Sequence, residues 1–292
     1  RDPFRRRAPI RERLTSSAPQ PRAFGICMSA EEEDVPMQSP SLALVVFDLA
    51  GTTIEDHDVV ARCLVEAVAA VGGRVDRDEA NAVMGLPKPV AIARLLEKLD
   101  GAPVDVASER VARATASFQD DILRHYRAPG AVVPISGVED VLDTLRANGA
   151  KVAIDTGFSS AIADAILDRL GWIEHGLVDT RVASDEVRRG RPAPDLLLEA
   201  MRRCGVRDPK SVAKVGDTPA DLGEGTSAGC GWTIGVTYGT HTREALVDHP
   251  HTSLIDDIRE LPAVLGLAPG ARASQDRTRP PSWRKAKNAS GA

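Results

Sequence analysis

The sequence predicts an α/β protein: a doubly wound parallel sheet, interrupted after its first strand by a helical insertion. Three observations point there. Leu42 to Phe47 is an apolar run without alternation, the pattern of a strand buried on both faces. Runs of the same kind return after residue 130, each followed by a helical pattern. Between 55 and 130 the periodicity is helical throughout.

Taken in order, residues 1–40 are rich in Arg, Pro, Ser and Glu and are expected to be disordered. Strand one is expected at 42–48, ending on Asp48, with Gly51 permitting a sharp turn. Val60, Leu64, Val68 and Val71 then recur at helical spacing until Gly72 and Gly73. Further helices are expected at 78–84, 89–99 and 104–126. The alternation resumes at Pro134, where Ser136 and Glu139 have the spacing of a capping box. Lys151 to Asp155 reads as a strand leading into Thr156 and Gly157, and a helix follows from Ser160 to Leu170. Val178 to Ala183 is strand-like, and Pro192 and Pro194 open a helix that runs to Cys204. Ser211 to Val215 is a strand ending in Gly216 and Asp217. Thr218 followed by Pro219 is a capping residue with Pro at the first helical position. Thr233 to Thr237 is another strand, and a last helix is expected around Asp256 to Val264. The domains expected are a core of 41–55 and 130–267, a helical cap of 56–129 and a disordered basic tail of 268–292.

Charge narrows the partners. Residues 1–22 carry a net +5 and residues 268–292 another +5, which leaves −15 between them against −5 for the whole chain. A body so acidic repels nucleic acid, and a small anionic substrate would need a metal and local positive charge. Cys27, Cys63, Cys204 and Cys230 form no Cys-x-x-Cys pair and read as reduced thiols of a cytoplasmic protein. No apolar run approaches the roughly 18 residues of a membrane span. The Arg-rich start is read as an extension, or as translation from upstream of a start at Met28 or Met37, in preference to a transit peptide. Oligomeric state is left open, with a homodimer among the states allowed.

The strand ends collect a chemically consistent set. Asp48 is a carboxylate where ligands bind in such sheets. Thr52, Thr53, Thr156 and Gly157 offer hydroxyls and N–H groups to phosphate oxygens. Arg191, in Gly190-Arg191-Pro192, supplies a guanidinium, a shape suited to phosphate. Asp217 and Asp221 are carboxylates for Mg²⁺. Each has a plainer reading: Asp221, three residues after Thr218, is also placed to cap a helix, and Arg191 alone would be a surface charge.

In this order, Asp48 with Gly51-Thr52-Thr53, Thr156-Gly157, Arg191 and Gly216-Asp217 with Asp221 resemble the four motifs of the haloacid-dehalogenase-like (HAD) hydrolases over about 42–265. The resemblance implies a HAD-like Rossmannoid core, an aspartyl-phosphate on Asp48 and a Mg²⁺ site of Asp48, Ala50, Asp217 and Asp221. Most such phosphatases carry a second Asp two residues after the nucleophile; here that position is Ala50. Asp48-Leu49-Ala50-Gly51-Thr52-Thr53 is similar to the phosphonoacetaldehyde hydrolases (phosphonatases) and their phosphonatase-like relatives. Their cap carries Met-Gly-x-x-Lys, matched by Met84-Gly85-Leu86-Pro87-Lys88. The resemblance implies a Schiff base on Lys88, Arg191 acting in catalysis, and substrate contacts from Ala50, Thr52, Met84, Thr156 and Gly157. A solvated lysine at a helix start is the plainer reading of Lys88, although a cation there opposes the helix dipole. Asp56-His57-Asp58, Ala91 and Phe158 stand where phosphonatases carry Cys, His and Tyr. The expected function is cleavage of a small phosphonate, with a phosphoglycolate-phosphatase-like phosphomonoesterase as the alternative.

Overall fold

The computed structural model describes residues 41–268. The tails expected at 1–40 and beyond Ala268 lie outside the described residues, as does Cys27. Strand β1 (Leu44–Phe47) is followed by helices α1 (Val59–Ala69), α2 (Arg77–Asn81), α3 (Lys88–Asp100) and α4 (Glu109–Arg127). Then come α5 (Val138–Ala147), β2 (Lys151–Thr156), α6 (Ser160–Leu170), β3 (Thr180–Ala183) and α7 (Asp195–Cys204). The chain continues through β4 (Val212–Gly216), α8 (Pro219–Ala228), β5 (Trp232–Val236), α9 (Arg243–Leu246), β6 (Ser253–Ile255) and α10 (Leu261–Val264).

The six strands form one sheet in the order β3-β2-β1-β4-β5-β6, with every pair parallel. The order reverses between β1 and β4, the switch point where crevices open in doubly wound sheets. Phe47 pairs with Ile154 and Val215, so the chain segments that follow β1, β2 and β4 emerge side by side. The missing alternation in β1 has its reason here, since all four residues are buried. Val45 and Phe47 enter one core with α5, α6 and the inserted helices. Leu44 and Val46 enter another with Leu196, Leu197, Ala200 and Met201 of α7. Each such side chain contributes about 1.5–3 kcal/mol.

Helices α1 to α4 follow β1, and no strand lies among them. Val111, Ala114, Phe118, Ile122 and Tyr126 form the buried stripe of α4, which packs on α1, α3 and, across to the sheet layer, α6. Among the described residues no helix is long and apolar enough to cross a membrane.

Several boundaries differ from expectation. Helix α4 starts at 109, not 104, because Ser108 caps it by accepting from Val111 N at 3.4 Å. Ser136 caps nothing: Gly137, at φ 88°, precedes α5, and Glu139 instead accepts from Trp172 Nε1 at 3.0 Å. Helix α7 begins at Asp195 because residues 190–194 turn first, Ala193 N donating to Gly190 O at 3.1 Å. The last expected helix divides into a 3₁₀ turn at Ile258–Glu260 and α10, and β6 and α9 had no strong sequence pattern.

Candidate active site

Asp48 follows β1 directly, and the turn after it is built from its own neighbours. Gly51 takes φ 88°, and Thr53 Oγ1 donates to Asp48 O and Leu49 O at 3.0 and 2.9 Å. Thr52 Oγ1 donates to Asp217 Oδ1 at 3.0 Å, and Tyr238 OH donates to Thr52 O at 2.9 Å. Both threonine hydroxyls therefore serve the turn and Asp217, and neither residue is among those lining the cavity described below. A Cβ on Gly51 would stand 2.5 Å from Asp217 Oδ2, so glycine is what lets the two loops close on each other.

Asp217, after β4, also accepts from Thr240 N at 2.6 Å. Asp221 is both things the sequence allowed. Its Oδ2 completes a capping box with Thr218, accepting from Thr218 N at 3.2 Å, and also accepts from Thr218 Oγ1 at 2.5 Å. Its Oδ1 lies 2.9 Å from Arg191 Nη1 and 3.2 Å from Lys214 Nζ. Carboxylate oxygens of Asp48, Asp217 and Asp221 lie within 4.8 Å of one another.

Arg191 is engaged on every edge. Nη1 donates to Asp48 Oδ1 at 2.6 Å, Nε to Glu224 Oε2 at 3.0 Å, and Nη2 to Asp155 O at 2.8 Å and to the Asp155 carboxylate. It does not line the cavity. The structure thus places Arg191 behind Asp48, holding its carboxylate, where the sequence reading had it facing phosphate oxygens. Lys214 pairs with Asp155 and, at 3.0 Å, with Glu224 Oε2.

The buried charged side chains of the described residues are Asp48, Asp155, Asp217, Asp221 and Glu224 against Lys88, Arg191 and Lys214, a formal excess of two negative charges. The strain shows in the acidities. Burial pushes Asp48 up to about 6 despite Arg191. Burial together with Asp48 and Asp221 pushes Asp217 up to about 7. Oxygen donors crowded at the end of a strand, with an excess of two, fit one hard divalent cation.

The inserted helices reach this crevice through residues 85–88. A Cβ on Gly157 would stand 2.8 Å from Leu86 O and 3.0 Å from Gly85 O, so that backbone lies directly on the β2–α6 turn. This delivers Lys88, the first residue of α3 after Pro87. Lys88 is 6% exposed, its Nζ 5.1 Å from the Phe158 ring centre and 5.5 Å from that of Phe118. Among the described residues no carboxylate lies within 4.0 Å of Nζ in an ion pair. Desolvation lowers its pKa to about 8, against the pull of Asp48 and Asp56. The plainer reading of Lys88, a solvated side chain, is therefore set aside.

A cavity of about 30 Å³ is lined by Asp48, Ala50, Met84, Lys88, Thr156 and Gly157, the expected residues, together with Asp56, Phe158, Thr218 and Thr240. Thr156 Oγ1 accepts from Phe158 N at 3.2 Å. Sequence reasoning missed the ionic support of Arg191. Lys214, inside an apolar buried strand, was a readable anomaly, and Glu224 falls one turn after Asp221. Thr240, in a loop, carried no signal.

The family model of the haloacid dehalogenase-like hydrolases matches residues 42–229. A Dickeya dadantii protein named "Probable phosphatase IndB" is 33% identical over 224 residues, covering 75% of this chain and 91% of that protein. A phosphonoacetaldehyde hydrolase of Bacteroides fragilis is 29% identical over 219 residues, covering 71% of this chain and 80% of that one. The crystal structure of a phosphonoacetaldehyde hydrolase like protein from Oleispira antarctica superposes with a TM-score of 0.64 at 26% identity, covering 78% of this chain and 92% of that one.

Proposed function

The chain belongs to the haloacid dehalogenase-like hydrolases, and from that premise we propose that it cleaves the P–C bond of a small phosphonate aldehyde, in the cytoplasm, with Mg²⁺. The observation that carries the reading is Lys88, buried in the same cavity as Asp48 with its pKa lowered to about 8. An amine that titrates there is available to attack a carbonyl at neutral pH. We read helices α1 to α4 as the cap that brings it.

In this mechanism Lys88 condenses with the aldehyde to an iminium. A carboxylate oxygen of Asp48 attacks phosphorus, the P–C bond breaks, and its electrons pass into the iminium to give an enamine. The enamine takes a proton at carbon, and water releases the aldehyde from Lys88. A second water frees phosphate from aspartyl-Asp48. Arg191 aims the Asp48 carboxylate and keeps it ionised, while Thr156 and the Gly157 backbone face the phosphoryl oxygens. Asp48, the Ala50 carbonyl, Asp217 and Asp221 would hold Mg²⁺, which supplies positive charge to the phosphoryl group. Ala50 is consistent with this chemistry, because a carbon leaving group with an electron sink needs no acid two residues after the nucleophile.

The second reading is a phosphomonoesterase, favoured by the phosphatase name of the 33% identical relative. Phosphate release with Mg²⁺ from phosphonoacetaldehyde and from a panel of phosphate esters, phosphoglycolate among them, separates the two. Release from the phosphonate, lost in Lys88→Arg, supports the first reading. Release from esters alone supports the second.

A further inference from the structure

Imine formation at a buried amine raises a question of protons. Free Lys88 is mostly an ammonium at pH 7, and it must lose two protons before C=N forms with elimination of water. The cavity is small, and Ala50 offers no carboxylate there. Of the titratable side chains lining it, Asp48 is committed to phosphorus and Lys88 to carbon. Asp56 is the remaining one among the described residues.

Asp56 is placed between two spaces. It lines the small cavity beside Lys88, and it also lines a larger cleft of about 490 Å³ bounded by Gly51, Ser136, Tyr238 and Arg259. Thr240 is the other residue common to both, and its hydroxyl does not titrate near neutrality. Asp56 is fixed by the start of α1: Val59 N donates to its carbonyl at 2.9 Å and Val60 N to its Oδ1 at 3.1 Å. The next two residues, His57 and Asp58, are left-handed at φ 46° and 61°, which turns the chain from the sheet edge into the insertion. One carboxylate oxygen is thus used for positioning, and among the described residues the other accepts no hydrogen bond.

We propose that Asp56 is the proton shuttle of this site, accepting the protons that Lys88 must lose and delivering them to the oxygen that departs as water. The proposal rests on the imine reading of Lys88. The balance is closed. The Asp56 carboxylate takes one ammonium proton, and the free amine adds to the carbonyl carbon as the C=O π electrons move to oxygen. Asp56 returns that proton to the oxygen, then relays the second proton from nitrogen to the hydroxyl. Water leaves, the nitrogen lone pair forms C=N, and Asp56 ends as the carboxylate it was. The surroundings suit the task. Burial raises the Asp56 pKa, and Lys88 opposes the rise. The charged and titratable groups acting with it are Lys88 on α3, His57 and Asp58 in its own loop, Cys63 on α1 and Tyr126 on α4. Asp48 lies across the cavity, and Asp256, Asp257 and Arg259 lie across the cleft.

The test is the rate at which the full chain, with Mg²⁺ and phosphonoacetaldehyde, is trapped by cyanoborohydride as a reduced adduct, followed by intact mass from pH 6 to 9. Asp56→Asn keeps the Oδ1 acceptor for Val60 N and removes the titratable group. It is expected to slow trapping by about 10²-fold, the lower end of what a general acid–base group supplies. Asp56→Glu, which restores a carboxylate, is expected to recover trapping to within about tenfold. Equal trapping rates in wild type and Asp56→Asn would overturn the shuttle alone. So would equal losses in the Asn and Glu variants, which is the signature of a disturbed loop. No adduct in wild type would overturn the imine reading and the shuttle together.

Discussion

Replacing Lys88 by Met should make the protein more stable while removing its C–P chemistry. Met keeps an unbranched apolar stem of similar volume and deletes the amine. The amine is costly where it sits: burial carries its pKa from 10.5 to about 8. Each unit is worth about 1.4 kcal/mol, so the ammonium disfavours the folded state by about 3 kcal/mol at neutral pH. Its position over Phe118 and Phe158 returns about 1–2 kcal/mol. The net expectation for Lys88→Met is a gain of about 1–2 kcal/mol at pH 7, or roughly 2–4 °C in Tm per kcal/mol. The sign of the pH dependence follows from a folded pKa below the unfolded one. Below pH 8 both states hold the proton and the folded state bears the whole penalty. Between about 8 and 10.5 the folded state releases the proton first, so wild type gains on the variant. Urea unfolding of both proteins at pH 7 and pH 10 measures this, since every other titrating group is common to the two. A variant less stable than wild type by over about 1 kcal/mol at pH 7, or a difference that does not move with pH, would refute the reasoning.

Three further outcomes are expected. Asp48→Asn abolishes phosphate release while the protein still folds, because Arg191 keeps Asp155, Asp221 and Glu224; more than a few per cent of wild-type turnover in a phosphate-release assay would remove Asp48 as nucleophile. Asp217→Ala weakens Mg²⁺ binding and activity together, read by calorimetric titration beside a Mg²⁺-dependent rate, and an unchanged Mg²⁺ affinity would place the metal elsewhere. Gly157→Ala puts a methyl 2.8 Å from Leu86 O and should hold residues 85–88 off the sheet edge; a drop of at least tenfold in kcat/KM at unchanged unfolding midpoint is expected, and wild-type activity would show that the contact is not needed.

Much of this was legible because buried parallel strands and strand-end chemistry both leave strong marks. The uninterrupted apolar run of β1, the Thr218-Pro219 helix start and the Gly-terminated helices fix the sheet and its crevice with no tertiary information. What the chain order could not convey is where a side chain turns once it reaches the crevice. Thr52 and Thr53 had the right hydroxyls, yet the tight Gly51 turn directs them to Asp217 and to backbone carbonyls. Arg191 had the right charge, yet four carboxylates, from β2, from α8 and from the end of β1, converge on it. Ser136 and Glu139 had capping-box spacing, but Trp172, over 30 residues on, claims the carboxylate. Asp56 reads as an ordinary loop acid until two cavities are seen to meet at it.

The central claim is that Lys88 forms the imine, and one measurement reaches it directly. The protein is incubated with Mg²⁺ and phosphonoacetaldehyde, reduced with borohydride, digested, and the modified peptide sequenced by mass spectrometry. The account predicts a single adduct on Lys88, carrying the two-carbon unit of the aldehyde and absent from Lys88→Arg. An adduct on another lysine, or none while phosphate is still released, would contradict it.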